Sequence, residues 1–407
     1  MTENQLTIVI SATFTAEPLE ASLAFWLATL EIPATIEFAP YHQVIQQLLD
    51  SNSLFFKNQA GLNVILMRMM DWLNATQPFS TEFVDLNEIN KSAQQFIEAI
   101  KIATTHSKVP YLICWCPAIH ELFSVQTAII AELRDLPNIY CLTTTELNEY
   151  YPVSNYSDIH SETLGHIPYT PLFFTALGTH IIRKWFVLQN PPYKVIVLDC
   201  DETLWQGVCG EEGVWGIKID THHQFLQEFM VRQYHAGMLI ALCSKNQEED
   251  IIAVFAQRTD MQLKREHIVS WRINWQAKSE NIRSLATELQ LGLESFIFID
   301  DNPVECAEVK THCPQVFVLQ LPEDKSKIRS FLNHLWVFDH LRVTTTDQQR
   351  TRFYQEAVQR THLQQNTLTL AHFLASLQLK VTISPIHSQE IPRISQILPL
   401  FAVPKEK

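Results

Sequence analysis

Glycine is scarce in this chain, nine residues in 407, and four of them crowd into one short segment at Gly207, Gly210, Gly213 and Gly216. That concentration predicts a run of tight turns in conformations other residues resist. Also missing is any uninterrupted apolar run near the roughly 18 residues of a membrane-spanning helix. The amino terminus, Met1-Thr-Glu-Asn-Gln, has neither the positive region nor the apolar core of a secretory signal. The expectation is a cytoplasmic protein with no membrane partner. The eight cysteines form no Cys-x-x-Cys pair and no zinc spacing, and Cys114, Cys141 and Cys243 lie in strand-like apolar runs where reduced, buried thiols are common. No disulfide framework is expected. Positive charge is in deficit: a net charge of −14, spread without long acidic blocks, argues against a general nucleic-acid partner. Internal repeats and low-complexity tracts are absent too.

What is present is a βα rhythm. Residues 6–11 (LTIVIS), 62–66 (LNVIL) and 111–114 (YLIC) read as strands, and 86–103 as a helix between two of them. This alternation implies a parallel sheet in an α/β fold. Pro191-Pro192 marks a boundary. The chain accordingly divides into an amino-terminal domain, residues 1–190, a second α/β domain, residues 191–343, and residues 344–407, which open with a charged helix through Gln364 and hold a strand-like stretch at 379–384.

The most informative residues end a buried strand. VIVLDCDETL, residues 195–204, places Asp199 and Asp201 one residue apart at the carboxyl end of an apolar, β-branched run, where open α/β sheets bind their ligands. Strand alternation points the two carboxylates to one face and Cys200 to the other, so one acid can attack a phosphate while the other handles protons. A second apolar strand, 238–243, ends in Ser244-Lys245-Asn246, which puts a hydroxyl in position to bond a phosphoryl oxygen. Lys278 follows, and a third strand, 295–299, ends in Asp300-Asp301-Asn302-Pro303. An attacking carboxylate and an anionic phosphate repel, so a hard cation held by oxygen ligands must bridge them. A lysine and a hydroxyl then neutralise the remaining charge.

The order and spacing of these four motifs resemble the haloacid dehalogenase (HAD) superfamily, whose usual chemistry is Mg-dependent phosphoryl transfer through an aspartyl phosphate. The resemblance implies Asp199 as nucleophile and metal ligand, and Asp201 as general acid/base with its backbone carbonyl on Mg2+. It also implies Ser244 and Lys278 as phosphate clamps, with Lys245 and Asn246 beside them, and Asp300 and Asp301 completing the metal site. Residues 198–211 (LDCDETLWQGVCGE), 242–246 (LCSKN) and 298–305 (FIDDNPVE) look further like the FkbH-type proteins of polyketide and nonribosomal peptide assembly lines. So do GHIPYTP at 165–171, ALG at 176–178 and ISATFTAEP at 10–18.

That family implies capture of a glyceryl unit from 1,3-bisphosphoglycerate, loss of phosphate, and thioester transfer to the phosphopantetheine arm of an acyl carrier protein. A cysteine near the metal would then relay the acyl group. Cys209, in the glycine segment, is the first candidate and Cys200 the second. The fold implied is an amino-terminal flavodoxin/SGNH-like parallel sheet domain followed by a nearly capless HAD-like Rossmannoid domain. The glycine segment forms a flap, and a helix resuming near His222 leaves too little sequence for a cap, so the site is expected to be open to a macromolecule.

The amino-terminal region resembles a degenerate SGNH hydrolase: Ser11 follows the first strand, but the Gly-Asp-Ser signature is missing. Asp158 and His160 are spaced differently from the family's pair, and His166 lies in a linker. The carboxyl terminus departs from the FkbH pattern after residues 393–397, which reads as a shortened form. A local basic patch for an acidic carrier would come from Arg183, Lys184, Lys264, Arg265 and Arg283. The alternatives are a HAD phosphatase acting on another phosphometabolite or phosphoprotein, and a non-catalytic assembly-line scaffold.

Overall fold

Runs of Val, Ile and Leu flanked by helical periodicity build two five-stranded parallel sheets. The computed structural model describes residues 6–73, 86–343, 347 and 349–365. The first sheet contains β1 (Leu6–Ala12), β2 (Ala34–Phe38), β3 (Gly61–Met67), β4 (Tyr111–Trp115) and β5 (Ile139–Leu142), in the order β2-β1-β3-β4-β5. Alternate side chains of its central strands feed two cores. Ile8 and Ile10 of β1 pack with Leu62, Val64 and Leu66 of β3 on one face, while Val9, Ile65 and Met67 pack on the other. Burial on both faces accounts for the near-continuous apolar strands.

The second sheet contains β6 (Val195–Leu198), β7 (Leu239–Ser244), β8 (Ile268–Ile273), β9 (Phe296–Asp300) and β10 (Phe317–Gln320), in the order β10-β9-β6-β7-β8. The α/β fold and its two parallel sheets match the expectation. Three strands were not legible beforehand. The strand β2 carries Glu37 on a half-exposed edge, β5 is only four residues long, and β8 mixes Trp271 and Arg272 into its run. Short, edge or two-sided polar strands give weak period-two signals.

Both sheets lie in one compact unit, Met1–Thr351. The Pro171–Gln189 helix ends the first half, and its buried Arg183 reaches the second, with Nη2 2.6 Å from Asp339 Oδ1 and Nη1 donating to the Asn333 carbonyl at 2.9 Å. This changes the expected basic patch. Arg183 is a buried clamp, Lys184 pairs with Glu146, Lys264 donates to the Thr259 carbonyl at 3.3 Å, Arg265 lies over Trp271, and Arg283 donates to the His312 carbonyl. A second unit begins at Arg352, of which the structure describes only the remainder of the Arg350–Gln365 helix. The strand expected at 379–384 and the departure after 393–397 lie outside the described residues.

No described helix is long and apolar enough to cross a membrane. All eight cysteines are free thiols, and only Cys141 is less than fully buried.

Candidate active site

The strands β9, β6 and β7 are neighbours, so their carboxyl ends bring three loops together. Leu198 pairs with Ile299 on one side and Leu242 on the other, which sets Asp199 level with Asp300, its N–H donating to the Ile299 carbonyl at 3.0 Å. The chain runs outward from β6 through β7 to β8, then returns to β9 beside β6. The β6–β9 crevice is therefore the switch point at which open α/β sheets place ligands.

Lys278 opens the Lys278–Leu289 helix after β8, and its ammonium sits between the two acids, 2.9 Å from Asp199 Oδ1 and hydrogen-bonded to Asp300 Oδ2. All three groups are buried. Burial alone would lower the Lys278 pKa, but Asp199 and Asp300 override it and hold the ammonium above its usual value. Burial, reinforced by the Asp199 charge, pushes Asp300 up to about 6. Asp199 is also raised by burial, against the opposing pull of Lys278 and a hydrogen bond from Ser244. Two buried acids sharing one cation are one positive charge short, a local excess of negative charge that favours a further cation.

Asp199, Asp300 and Asp301 offer carboxylate oxygens all within 4.8 Å of one another. Asp301 accepts from the Thr203 hydroxyl at 3.3 Å. The Asp201 side chain is not in that cluster. Its Oδ1 accepts from Trp205 Nε1 at 2.8 Å and the Cys209 N–H at 3.1 Å, and its Oδ2 accepts from Asn246 Nδ2 at 2.7 Å. Ser244 is buried beside Asp199. Lys245 turns away to Glu305, 2.8 Å distant. Trp205, Thr203 and Glu305 contact the site residues Asp201, Asp301 and Lys245, and sequence reasoning missed them because none directly follows an apolar strand.

The glycine segment is a folded structure of tight turns. Glu202 has a left-handed backbone (φ 58°) and caps the Gly207 N–H at 2.7 Å, and Lys325 donates to the Glu202 carbonyl at 2.6 Å. Gly216 is obligatory, since a Cβ there would lie 2.2 Å from the Glu212 carbonyl oxygen. Cys209 begins a single helical turn, Cys209–Glu212, and is buried. Burial first, then Asp201 and Asp250, push its thiol up to about 12. Cys200 packs in the apolar core, its thiol raised by burial. Helix Thr221–His235 follows, capped by Asp220. Among the described residues no inserted domain roofs the site; Trp215 and Trp275 stand exposed in the loops after β6 and β8, and Val304 in the first turn of the helix after β9.

The residues proposed for an amino-terminal hydrolase do not come together. Ser11 is fully buried with no hydrogen-bond partner for its hydroxyl, Asp158 caps its own helix by accepting from the Ser161 N–H at 3.0 Å, and His160 is exposed. His166 instead accepts from or donates to Tyr41 Oη at 2.6 Å and faces Asp71 at 3.3 Å. Asp71 also accepts from the Thr13 hydroxyl at 2.7 Å. This network ties the 159–165 helix and its following loop to the sheet edge.

Among solved structures, the N-terminal part of the protein BF1531 from Bacteroides fragilis, containing a phosphatase domain complexed with Mg, is similar to this chain. The TM-score is 0.64 at 21% identity, covering 83% of this chain and 94% of that one. That likeness establishes a shared fold across both sheets. No family model matches the chain, and no curated protein does.

Proposed function

We propose that the chain is a Mg2+-dependent phosphoryl-transfer enzyme of the HAD type. The observation that carries this reading is the buried Asp199–Lys278–Asp300 group at the β6–β9 switch point, with Asp301 beside it. The donor set fits Mg2+: it is all oxygen and rich in carboxylate, with Asp301 partly exposed beside the buried Asp199 and Asp300. Asp199, Asp300 and Asp301 would hold the ion, with the Asp201 carbonyl. When bound, Mg2+ screens the repulsion between Asp199 and the phosphate. The similarity to a Mg-complexed phosphatase domain supports the same reading.

In this scheme an Asp199 oxygen attacks phosphorus. A P–O bond forms, the bond to the leaving oxygen breaks, and Asp201 supplies the proton that oxygen needs. Water then attacks the aspartyl phosphate, Asp201 takes its proton, and inorganic phosphate leaves. Ser244 and Lys278 donate toward phosphoryl oxygens, and Lys278 keeps Asp199 ionised.

Within that class, we propose glyceryl loading from 1,3-bisphosphoglycerate onto an acyl carrier protein. Removal of the 3-phosphate uses Asp199 as above. At C1 the carrier's thiol attacks the acyl carbon, a C–S bond forms, the C–O bond to the 1-phosphate breaks, and phosphate departs with the electron pair. The open mouth and the FkbH-like motifs support this substrate. Burial, Asp201 and Asp250 push the Cys209 thiol up to about 12, which speaks against a relay through that side chain; the second reading, a phosphatase for another phosphorylated substrate, needs no such relay.

Intact-mass spectrometry of a phosphopantetheinylated carrier after incubation with the chain, Mg2+ and 1,3-bisphosphoglycerate tests both readings. An Asp199-dependent glyceryl increment supports loading. Phosphate release without an acylated carrier leaves the phosphatase, and neither product defeats both.

A further inference from the structure

We propose that Asn246 and Trp205 are positioning residues for Asp201, holding the carboxylate so that one oxygen faces the departing group of the substrate. The inference rests on the phosphoryl-transfer reading above. It reassigns Asn246, which sequence resemblance placed among the substrate-binding groups.

The geometry is specific. Asn246 is 4% exposed, and its amide is already committed: Nδ2 donates to Asp201 Oδ2 at 2.7 Å, and Oδ1 accepts from the Gln247 N–H at 2.7 Å. A second Nδ2 contact, 3.5 Å long, goes to Cys209 Sγ. No donor of this amide is left for a phosphate. On the far side Trp205, fully buried against Phe255, donates Nε1–H to Asp201 Oδ1 at 2.8 Å, and the Cys209 N–H reaches the same oxygen at 3.1 Å. Three N–H donors from three places in the chain therefore fix one side chain. Two of them occupy Oδ1, so Oδ2, with a single donor, is the oxygen with room for a proton to be transferred.

The glycine segment takes part in this arrangement. A Cβ on Gly210 would lie 3.0 Å from Asn246 Oδ1, so a side chain there would press on the amide and displace it by a few tenths of an ångström. The fold thus links the β6 loop, the glycine turn and the end of β7 through Asn246. This also explains why Cys209 is buried: its backbone N–H serves Asp201, and its thiol fills the space beside the amide.

A proton donor matters only when the leaving oxygen is basic. The test is a comparison of leaving groups with Asn246→Leu, Trp205→Phe and Gly210→Ala, using phenyl phosphate, whose leaving group needs a proton, and acetyl phosphate, whose leaving group does not. Positioning predicts that Asn246→Leu slows leaving-group release in the first turnover by roughly tenfold to a hundredfold with phenyl phosphate and by no more than about threefold with acetyl phosphate, while the later hydrolysis step, in which Asp201 takes a proton from water, slows equally on both. Trp205→Phe should behave in the same direction, and Gly210→Ala, which displaces the amide without removing any donor, should do so more weakly. Thermal unfolding of each variant identifies simple loss of fold, and Trp205→Phe and Gly210→Ala keep the test open if Asn246→Leu does not fold. Equal first-turnover losses on both substrates by the folded variants, or no first-turnover loss on either, overturn the positioning role while leaving the phosphoryl-transfer reading intact. If wild type turns over neither compound in Mg2+, the site reading falls and this inference falls with it.

Discussion

Lys278 Nζ lies 2.9 Å from Asp199 Oδ1, and both groups are almost wholly buried. The pair joins the start of a helix after β8 to the end of β6, two strands away in the sheet. The same ammonium bridges two buried acids and pulls the Asp199 pKa down against the rise that burial imposes.

Removing that ammonium should damage the fold. Lys278→Met leaves Asp199 and Asp300 facing each other in the interior, and a cost of about 3–5 kcal/mol is expected from urea unfolding. Asp199→Asn keeps the shape and lowers the local negative charge. It should retain or raise stability while phosphate release falls to background. A stable fold with undiminished turnover in Asp199→Asn would remove it as nucleophile.

Chelation separates metal from fold. Phosphate release should vanish in EDTA and return on Mg2+ titration, while the circular dichroism spectrum stays unchanged. Asp301→Ala should shift the Mg2+ titration to higher concentration, because one of the three clustered carboxylates is lost.

Cys209→Ala tests the thiol relay directly. A buried thiol pushed up to about 12 is a poor nucleophile, so acyl transfer to a carrier and phosphate release should both stay within about twofold of wild type. Loss of transfer with phosphate release retained would restore the relay.

Arg183 and Asp339 form the clamp between the two sheets, with Nη2 to Oδ1 at 2.6 Å. Arg183→Met and Asp339→Leu should each destabilise by about 3–5 kcal/mol, since each strands a partly or fully buried charge. The double variant should cost less than the sum, and a double-mutant cycle in urea measures the coupling.

The acid limb of stability should carry a signature from Glu146. Burial would raise its pKa, but His180 and Lys184 override that and hold it at about 2 against an ordinary 4.5. A folded pKa below the unfolded one contributes stability that is present above pH 4.5 and is lost as the pH falls through about 2. The difference in unfolding free energy between wild type and Glu146→Gln should therefore shrink across that window, by roughly 3 kcal/mol at most.

How much of this was readable beforehand depends on the range of the interaction involved. The apolar runs of β1, β3, β4, β6, β7 and β9 announced a parallel α/β fold, since strands buried on both faces must be apolar throughout. Asp199, Asp201, Ser244, Lys278, Asp300 and Asp301 stood out because acids, a hydroxyl and a lysine recur in one order along the chain, three of the four groups directly after apolar strands. Chain order alone thus singled out the candidate site residues and the sheet that carries them.

Only the tertiary structure decided what each group faces. Which of the acids share Lys278 follows from β6 and β9 being adjacent, a pairing set by contacts about a hundred residues apart in sequence. Lys245 turning to Glu305, Arg183 closing on Asp339, and Asn246, Trp205 and the Cys209 N–H converging on Asp201 are likewise long-range contacts. Local pattern records the period of burial along a chain. It does not record which distant donor a buried polar atom meets, and that is fixed only when the strands pack.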